Sequence, residues 1–432
     1  VYSHVALRMA EHGDWLTPHF LDRFFLTKPP LLYWLSGASA KLFGVSAFSL
    51  RLPSLIAGAL GVLIVFLWVR EARPWYAALL AAAALLTHDL WFRLSRLNLT
   101  DALLSTLFLA ALWLLPRAPW ITGVLCGLAL LTKGLAGLMP LIAVCAILFL
   151  RREYRRLALS LATALAVAAP WHLYQYAVHP RWFYSEYIGV EILRYALGTP
   201  PQTSQESTAA FYFGRFLSPF AAIGFAALAW TLRKRDWTPA LAMALMVIAA
   251  VFAYQYRNLA YWMPLAPALA ILAGRNLPWY LLPLMLAWPS RDPAMTPVTP
   301  VLRTYCELHR SNDLALVSTA DEFHATVLPL ARVRYVFIAP PPEYGSAMLD
   351  FRALGITQTV DDYLAATPPR EDLLAWGLPH RRALSTVLLA KDQADVDRLI
   401  AARPEWDFLI DASLRLSSTS LAPHPAARSC RL

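Results

Sequence analysis

The chain has 432 residues, 58% of them hydrophobic and only 15% charged, with a mean hydropathy of +0.47. That is too apolar for a soluble globular protein and points to a polytopic α-helical membrane protein, while the absence of alternating segments of about 10 residues excludes a transmembrane β-barrel. A net charge of +10 would suggest nucleic acid in a soluble chain; here the arginines fall in short connections between apolar runs, so no nucleic-acid partner is expected and they are read as a positive-inside signal with affinity for anionic membrane lipids.

Residues 1–46 hold two amphipathic stretches, "VALRMAEHGDW" and "PPLLYWLSGASAKLFG". Both read as interfacial helices lying on a membrane surface, the second opened by Pro29 and Pro30, where proline is tolerated. Apolar runs follow at about 47–69, 74–91, 100–116, 119–132, 134–150, 156–176, 209–232, 238–254, 259–273 and 276–288, about ten spans over residues 47–288. Alternate connections are short and basic: Arg70 and Arg73; Arg117; Arg151, Arg152, Arg155 and Arg156; Arg233, Lys234 and Arg235; Arg275. These are assigned to the cytoplasmic side. The other set, residues 1–46, 92–99, Lys133, 178–208 and 255–258, faces out. By parity one further helix is expected before Val1. The outer loop 178–208 contains a third amphipathic stretch, "WFYSEYIGVEILRYAL". After the proline-rich join near residue 290, short β-type runs alternate with amphipathic segments, which predicts a small α/β domain over 289–432 on the outer face. Cys126 and Cys145 lie in apolar runs as packing residues, and Cys306 and Cys430 could form a disulfide if the C-terminal part lies in an oxidising compartment.

Charges at membrane depth are expensive and usually functional. On the outer side these are Lys28, Arg51, His88, Asp89, Arg93, Arg96, Asp101, Lys133, His172, Glu191 and Arg194. Several cations and a few carboxylates among aromatics suit a ligand with a phosphate head and a lipid tail, and a carboxylate there can act as general base. Plainer readings stand beside these. Lys28 could snorkel beside anionic lipid, and Arg51, Arg93 and Arg96 could be ordinary interface arginines. Asp101 could be a first-turn acid favoured by the helix dipole, and His172 a core or interfacial histidine. No zinc-ligand spacing, Walker loop, G-x-S-x-G or dinucleotide fingerprint is present.

The strings "GDWLTPHF", "FFLTKPPLLYWLSGASAKLFGVSAFSLRLPS", "RLNLTDALLSTLFLAALW", "GLALLTKGLAGLMPLIAV" and "APWHLYQY…VEILRY" resemble blocks of the bacterial lipid A aminoarabinose transferases and their relatives. These are membrane glycosyltransferases of the GT-C fold, akin to the protein O-mannosyltransferases. The likeness runs over about residues 1–220. It implies a bacterial inner-membrane enzyme that moves a sugar from a polyprenyl-phosphate carrier to a glycolipid, glycan or protein acceptor on the periplasmic side. It further implies that Lys28 and Arg194 contact the carrier phosphate and that Asp101 is the family's acid at its helix start; Arg51, Arg96, Glu191 and His172 complete the expected substrate site. The family's principal catalytic aspartate would fall just before Val1, so the chain as it stands is expected to be inactive. Two departures are visible: Thr27 where relatives often carry Glu, and no His ahead of Arg194. The groups missing at those two places look like metal ligands in the aminoarabinose enzymes, so no cofactor is expected, a divalent metal is doubtful, and so is aminoarabinose as the sugar. A lipid-linked glycan flippase and a catalytically dead carrier-lipid binder are the alternatives.

Overall fold

A computed structural model describes residues 2–20, 23–194, 218–253 and 259–286, together with five short strands between residues 315 and 410. The N-terminal region forms α1 (Tyr2–His12), a two-residue hairpin of β1 (His19–Phe20) and β2 (Arg23–Phe24), and α2 (Leu31–Phe43). Then come α3 (Ala47–Arg70), α4 (Trp75–Thr87), α5 (Asp89–Ser95), α6 (Thr100–Leu114), α7 (Pro119–Leu150) and α8 (Tyr154–Val178). A π-helical stretch covers Phe183–Arg194, and α9 (Pro219–Lys234), α10 (Pro239–Ala253) and α11 (Leu265–Asn276) complete the helical part. Helices α3 and α8 are each long and apolar enough to cross a bilayer, and α7 is so only when its 32 residues are counted as one run. Two bent pairs, α4 with α5 at 66° and α9 with α10 at 116°, pass when each is taken together. The chain is a multi-pass membrane protein.

Local sequence explains the element ends. Ser46 and Ser49 form a reciprocal cap that starts α3. Pro53 lies inside α3 and has no N–H for the carbonyl of Ser49. Ser39 of α2 donates its hydroxyl to that carbonyl at 2.6 Å, so the proline fixes α2 against α3 and does not break the helix. His88, extended at φ −65° and ψ 121°, parts α4 from α5. The last apolar run, with Pro278 and Pro283, forms a 3-10 turn over Trp279–Met285 where the i to i−4 ladder would lack donors.

Helix α7 is two helices. Lys133 and Gly134 leave helical geometry, with Gly134 at φ +43°. The chain then doubles back: a methyl on Gly137 would strike the backbone of Ala129, and Cys126 lies within electrostatic reach of Cys145. The first half, 119–132, packs antiparallel to α6, because Lys133 meets Asp101 while Thr122 bonds the carbonyl of Ala111. It packs parallel to α8 through Gly123, against Ser160 and Thr163, and Gly127, against Ala164 and Val167. Both glycines are required by this close approach, since any Cβ would collide with α8 backbone.

Hydrogen bonds tie the basic turns to one end of the bundle. Arg117 and Trp113 both bond Glu71. Arg156 caps the carbonyls of Leu115 and Pro116. Arg73 bonds the carbonyl of Leu277, and Thr231 pairs with Asn276. At the opposite end Ser36 of α2 and Ser3 of α1 bond Asn98, and Ser54 of α3 bonds the carbonyl of Leu99. Trp171 and Gln175 of α8 hold the carbonyl of Leu16 at 2.8 and 2.7 Å. The core between the ends is apolar, with Trp91, Phe108, Leu85 and Leu32 fully buried. Beyond residue 290, β3 (Ala315–Thr319), β4 (Arg334–Ile338) and β7 (Phe408–Ile410) form one parallel sheet in the order β4-β3-β7. A second parallel pair joins β5 (Thr357–Thr359) and β6 (Val387–Leu389). Cys306 and Cys430 lie outside the described residues.

Candidate active site

The end of the bundle opposite the basic turns holds a buried ion pair. Asp101 stands in the first turn of α6 and Lys133 at the break in α7, and Lys133 Nζ lies 2.6 Å from Asp101 Oδ1. The residues are 7% and 8% exposed. The chain break explains the lysine's reach: outside helical geometry, its side chain turns across to α6. Its ammonium also sits 5.0 Å from the ring centroid of Tyr261, a cation–π contact. Beside the pair opens a cavity of about 680 Å³ including its mouth, lined by Leu104, Leu135, Ala136, Met139, Val251, Tyr261 and Pro264. One ion pair in an otherwise greasy wall is what a ligand with a polar head and an apolar tail requires.

The expected site residues are distributed around this end. Lys28 is buried at the entry to α2, between buried Thr27 and the buried Pro29 and Pro30. Arg51, in the first turns of α3, is half-buried and lies within electrostatic reach of Arg96, which follows α5. Arg96 is exposed and rests over the Phe92 ring at 4.9 Å. Arg93 instead pairs with Asp89 at 2.9 Å one turn away, and His88 accepts the N–H of Trp91 as a cap. The hydroxyls of Thr27 and Thr100, next to Lys28 and Asp101, are buried with no hydrogen-bond partner among the described residues.

His172 is fully engaged. Its Nδ1–H donates to the carbonyl of Ala168 at 2.8 Å, so Nε2 accepts the Tyr187 hydroxyl, also at 2.8 Å. Tyr187 in turn covers Gly134, where a Cβ would sit 3.1 Å from its hydroxyl. His172 therefore braces the turn that carries Lys133. Glu191 and Arg194 belong to the π-helical stretch, but their side chains lie outside the described residues. In the sequence Lys133 stands as one of several outer-side cations, with no separate role. Its signal was present: a lysine followed by glycine in the middle of a long apolar run.

The segment between α1 and α2 is fastened to the end of α8. Asp14 accepts the N–H groups of Leu16 and Thr17 at 3.1 and 3.0 Å. Phe24 stacks between His19, 5.1 Å away, and His179, 4.3 Å away. Burial lowers the pKa of both histidines below the ordinary 6.5. Among the described residues no three His, Cys, Asp or Glu side chains gather as metal ligands. Thr27, a neutral hydroxyl, does not fit the place of a metal-binding carboxylate.

Residues 27–174 match the family profile described as dolichyl-phosphate-mannose-protein mannosyltransferase. An undecaprenyl phosphate-alpha-4-amino-4-deoxy-L-arabinose arabinosyl transferase of Pectobacterium atrosepticum is 30% identical over 307 residues, 63% of this chain and 53% of that protein. The namesake from Pseudomonas aeruginosa is 30% identical over 309 residues, 64% and 54% of the two chains. This chain thus spans about half the length of the curated relatives it matches. The crystal structure of apo ArnT from Cupriavidus metallidurans superposes with a TM-score of 0.59 at 19% identity, over 81% of this chain and 83% of that one. The same protein bound to undecaprenyl phosphate gives 0.55 at 24% identity, over 71% and 58%. The helical bundle and these superpositions together define a membrane protein of the GT-C fold. Within that class the chain is similar to the aminoarabinose transferases over about 64% of its length, and its residues 27–174 match the mannosyltransferase profile.

Proposed function

We propose that this chain carries the working end of a membrane glycosyltransferase, which takes a sugar from a polyprenyl-phosphate carrier and gives it to a glycolipid, glycan or protein acceptor. The observation that carries the reading is the buried Asp101–Lys133 pair on the wall of an apolar cavity. The named activity of the relatives, and the undecaprenyl phosphate bound in the Cupriavidus protein, support the same substrate class. The site would face the periplasm of a bacterial inner membrane, with the basic turns in the cytoplasm. Residues 1–46 would form the outer loop, 47–288 the membrane domain with the loop 178–208, and 289–432 a periplasmic domain that shapes access for the acceptor.

In this reading Lys28, Arg51, Arg96 and Arg194 surround the carrier phosphate. Arg51 and Arg96 are two cations within electrostatic reach of each other, and an anion between them would relieve their repulsion. The buried Thr27 and Thr100 hydroxyls supply donors at the same end. A carboxylate general base takes the proton of the acceptor hydroxyl as its oxygen attacks the anomeric carbon in one displacement, with inversion, while the carbon–oxygen bond to the carrier phosphate breaks. The phosphate leaves as a stable anion, so no general acid is needed, and the cations stabilise its growing charge. Asp101, held by Lys133, orients the acceptor. Glu191 would take part in substrate binding, and His172 would support the site by bracing Tyr187. Thr27, where relatives often carry Glu, argues for a sugar other than aminoarabinose and against a bound divalent metal.

The test is transfer by the full-length protein in proteoliposomes with radiolabelled polyprenyl-phosphate sugars and a membrane extract, comparing it with its Lys28→Ala variant. Label should move to an acceptor with the protein and not with the folded variant. Passage of sugar lipid across the bilayer without transfer would make this a flippase, and carrier binding without either would make it a binding homologue.

A further inference from the structure

Twice, at the basic end of the bundle, the chain reverses on an arginine with left-handed backbone geometry. Arg152, at φ 58°, follows α7, and Arg235, at φ 53°, follows α9. The two turns have the same hydrogen bonds. The N–H of Arg152 meets the carbonyl of Phe149 at 2.9 Å, and the N–H of Glu153 that of Leu148 at 2.9 Å. The N–H of Arg235 meets the carbonyl of Leu232 at 3.0 Å, and the N–H of Asp236 that of Thr231 at 3.2 Å. This paired-carbonyl ending usually puts glycine in the left-handed place, because a Cβ there crowds the following carbonyl. At the opposite end the rule is kept: Gly13, Gly44 and Gly134 are the other positive-φ residues among those described.

The strained residue is thus the residue that carries charge, and among the described residues its charge has no partner. Arg151, Arg152, Arg155 and Arg235 are exposed, and among the described residues their side chains make no ion pair or hydrogen bond. Neighbouring arginines behave differently. Arg73 and Arg117 bond carbonyls and Glu71, and Arg156 takes Glu153, the acid of the first turn. Asp236, beside Arg235, forms no ion pair with it. Both turns end apolar helices, and Phe149, Leu150 and Tyr154 at the first and Trp237 at the second are exposed beside the guanidinium groups.

We propose that Arg152 and Arg235, with Arg151 and Arg155 beside the first, form a contact surface for the phosphates of anionic lipids in the leaflet at the basic end. A guanidinium suits a phosphate through its planar fork. Exposed aromatic and aliphatic side chains at the same depth suit acyl chains and not water, which favours a lipid headgroup over a free anion. The surface lies at the end remote from the Asp101 cavity and does not depend on the transfer reading.

The test is thermal unfolding of the whole chain in neutral detergent, followed by tryptophan fluorescence, with added phosphatidylglycerol, phosphatidylcholine or inorganic phosphate. Phosphatidylglycerol well above its dissociation constant should raise Tm by roughly 5–10 °C. The double variant Arg152→Gly/Arg235→Gly should melt higher than the parent in detergent alone, because the left-handed strain is gone, and keep less than half of the lipid-induced rise. Arg152→Lys/Arg235→Lys keeps charge and strain and should keep most of the rise. A full rise in the glycine variant overturns the proposal. So does an equal rise with phosphatidylcholine, or an equal rise with inorganic phosphate, which would make this a free-anion site.

Discussion

Replacing Lys133 with methionine would leave the carboxylate of Asp101 alone in a nearly dry place. The two groups lie 2.6 Å apart and both residues are less than a tenth exposed. Breaking a buried pair from one side typically costs about 3–5 kcal/mol. The adjoining cavity admits some solvent to Asp101, so the lower figure applies. About 3 kcal/mol in a helical unit of this size corresponds to a fall in Tm of roughly 6–12 °C. The double variant Asp101→Asn/Lys133→Met removes both charges and should recover to within about 3 °C of the parent, since no bare charge remains. The assay is tryptophan fluorescence against temperature in detergent, paired with sugar transfer in proteoliposomes by the full-length protein carrying the same substitutions. The double variant should be stable and inactive, which separates the support the pair gives the fold from its part in the reaction. A Lys133→Met protein melting within about 2 °C of the parent would sink the argument, because a buried charge cannot lose its partner at so small a cost.

Three further outcomes follow from the geometry. Ser39→Ala should destabilise by about 1–2 kcal/mol, because it orphans the Ser49 carbonyl that Pro53 cannot serve; Ser39→Ala/Pro53→Ala should recover most of this, read as a Tm series. Gly134→Ala meets both a positive φ and the Tyr187 hydroxyl, and should lower stability by about 1–2 kcal/mol while disturbing the His172 bond, visible as a changed Tyr187 environment in near-ultraviolet circular dichroism. His19 and His179 have pKa values lowered by burial, so the unfolded chain takes up protons first. Stability should therefore be level above about pH 6.5 and fall as pH drops from there toward the lower folded values, and His19→Phe/His179→Phe should flatten that slope in a melting series against pH.

Much of the architecture was legible because membrane physics writes it in one dimension. Arginines mark one end of the bundle, and the hydrogen bonds from Arg73, Arg117 and Arg156 gather those turns as their spacing implied. The reversal at Lys133 was readable from a charge in an apolar run. Other features depend on partners that sequence distance hides. Asp101 and Lys133 are 32 positions apart, and nothing local to either says they touch. His172 resembles a candidate ligand until Tyr187 is seen on its second nitrogen. The apolar run at 276–288 has the composition of a span, yet residues 279–285 wind as a 3-10 turn, because Pro278 and Pro283 remove backbone donors that composition does not count. The left-handed arginines were invisible as such: two basic turns among several, with only the backbone marking them apart.

The brevity of three adjoining helices has a consequence for the bilayer itself. Helix α6 is 15 residues long, and the halves of α7 on either side of Lys133 and Gly134 are similar. At about 1.5 Å per residue each reaches roughly 21–24 Å, against about 30 Å of hydrocarbon. With their basic ends set at one headgroup layer, the ends carrying Asp101 and Lys133 stop several ångströms short of the other. Lipids around that corner must tilt or thin to follow it, since mismatch is met by deforming the softer partner. A dimple in the leaflet would then lie over the cavity, lowering a lipid's phosphate toward the ion pair without pulling its tail out of the membrane.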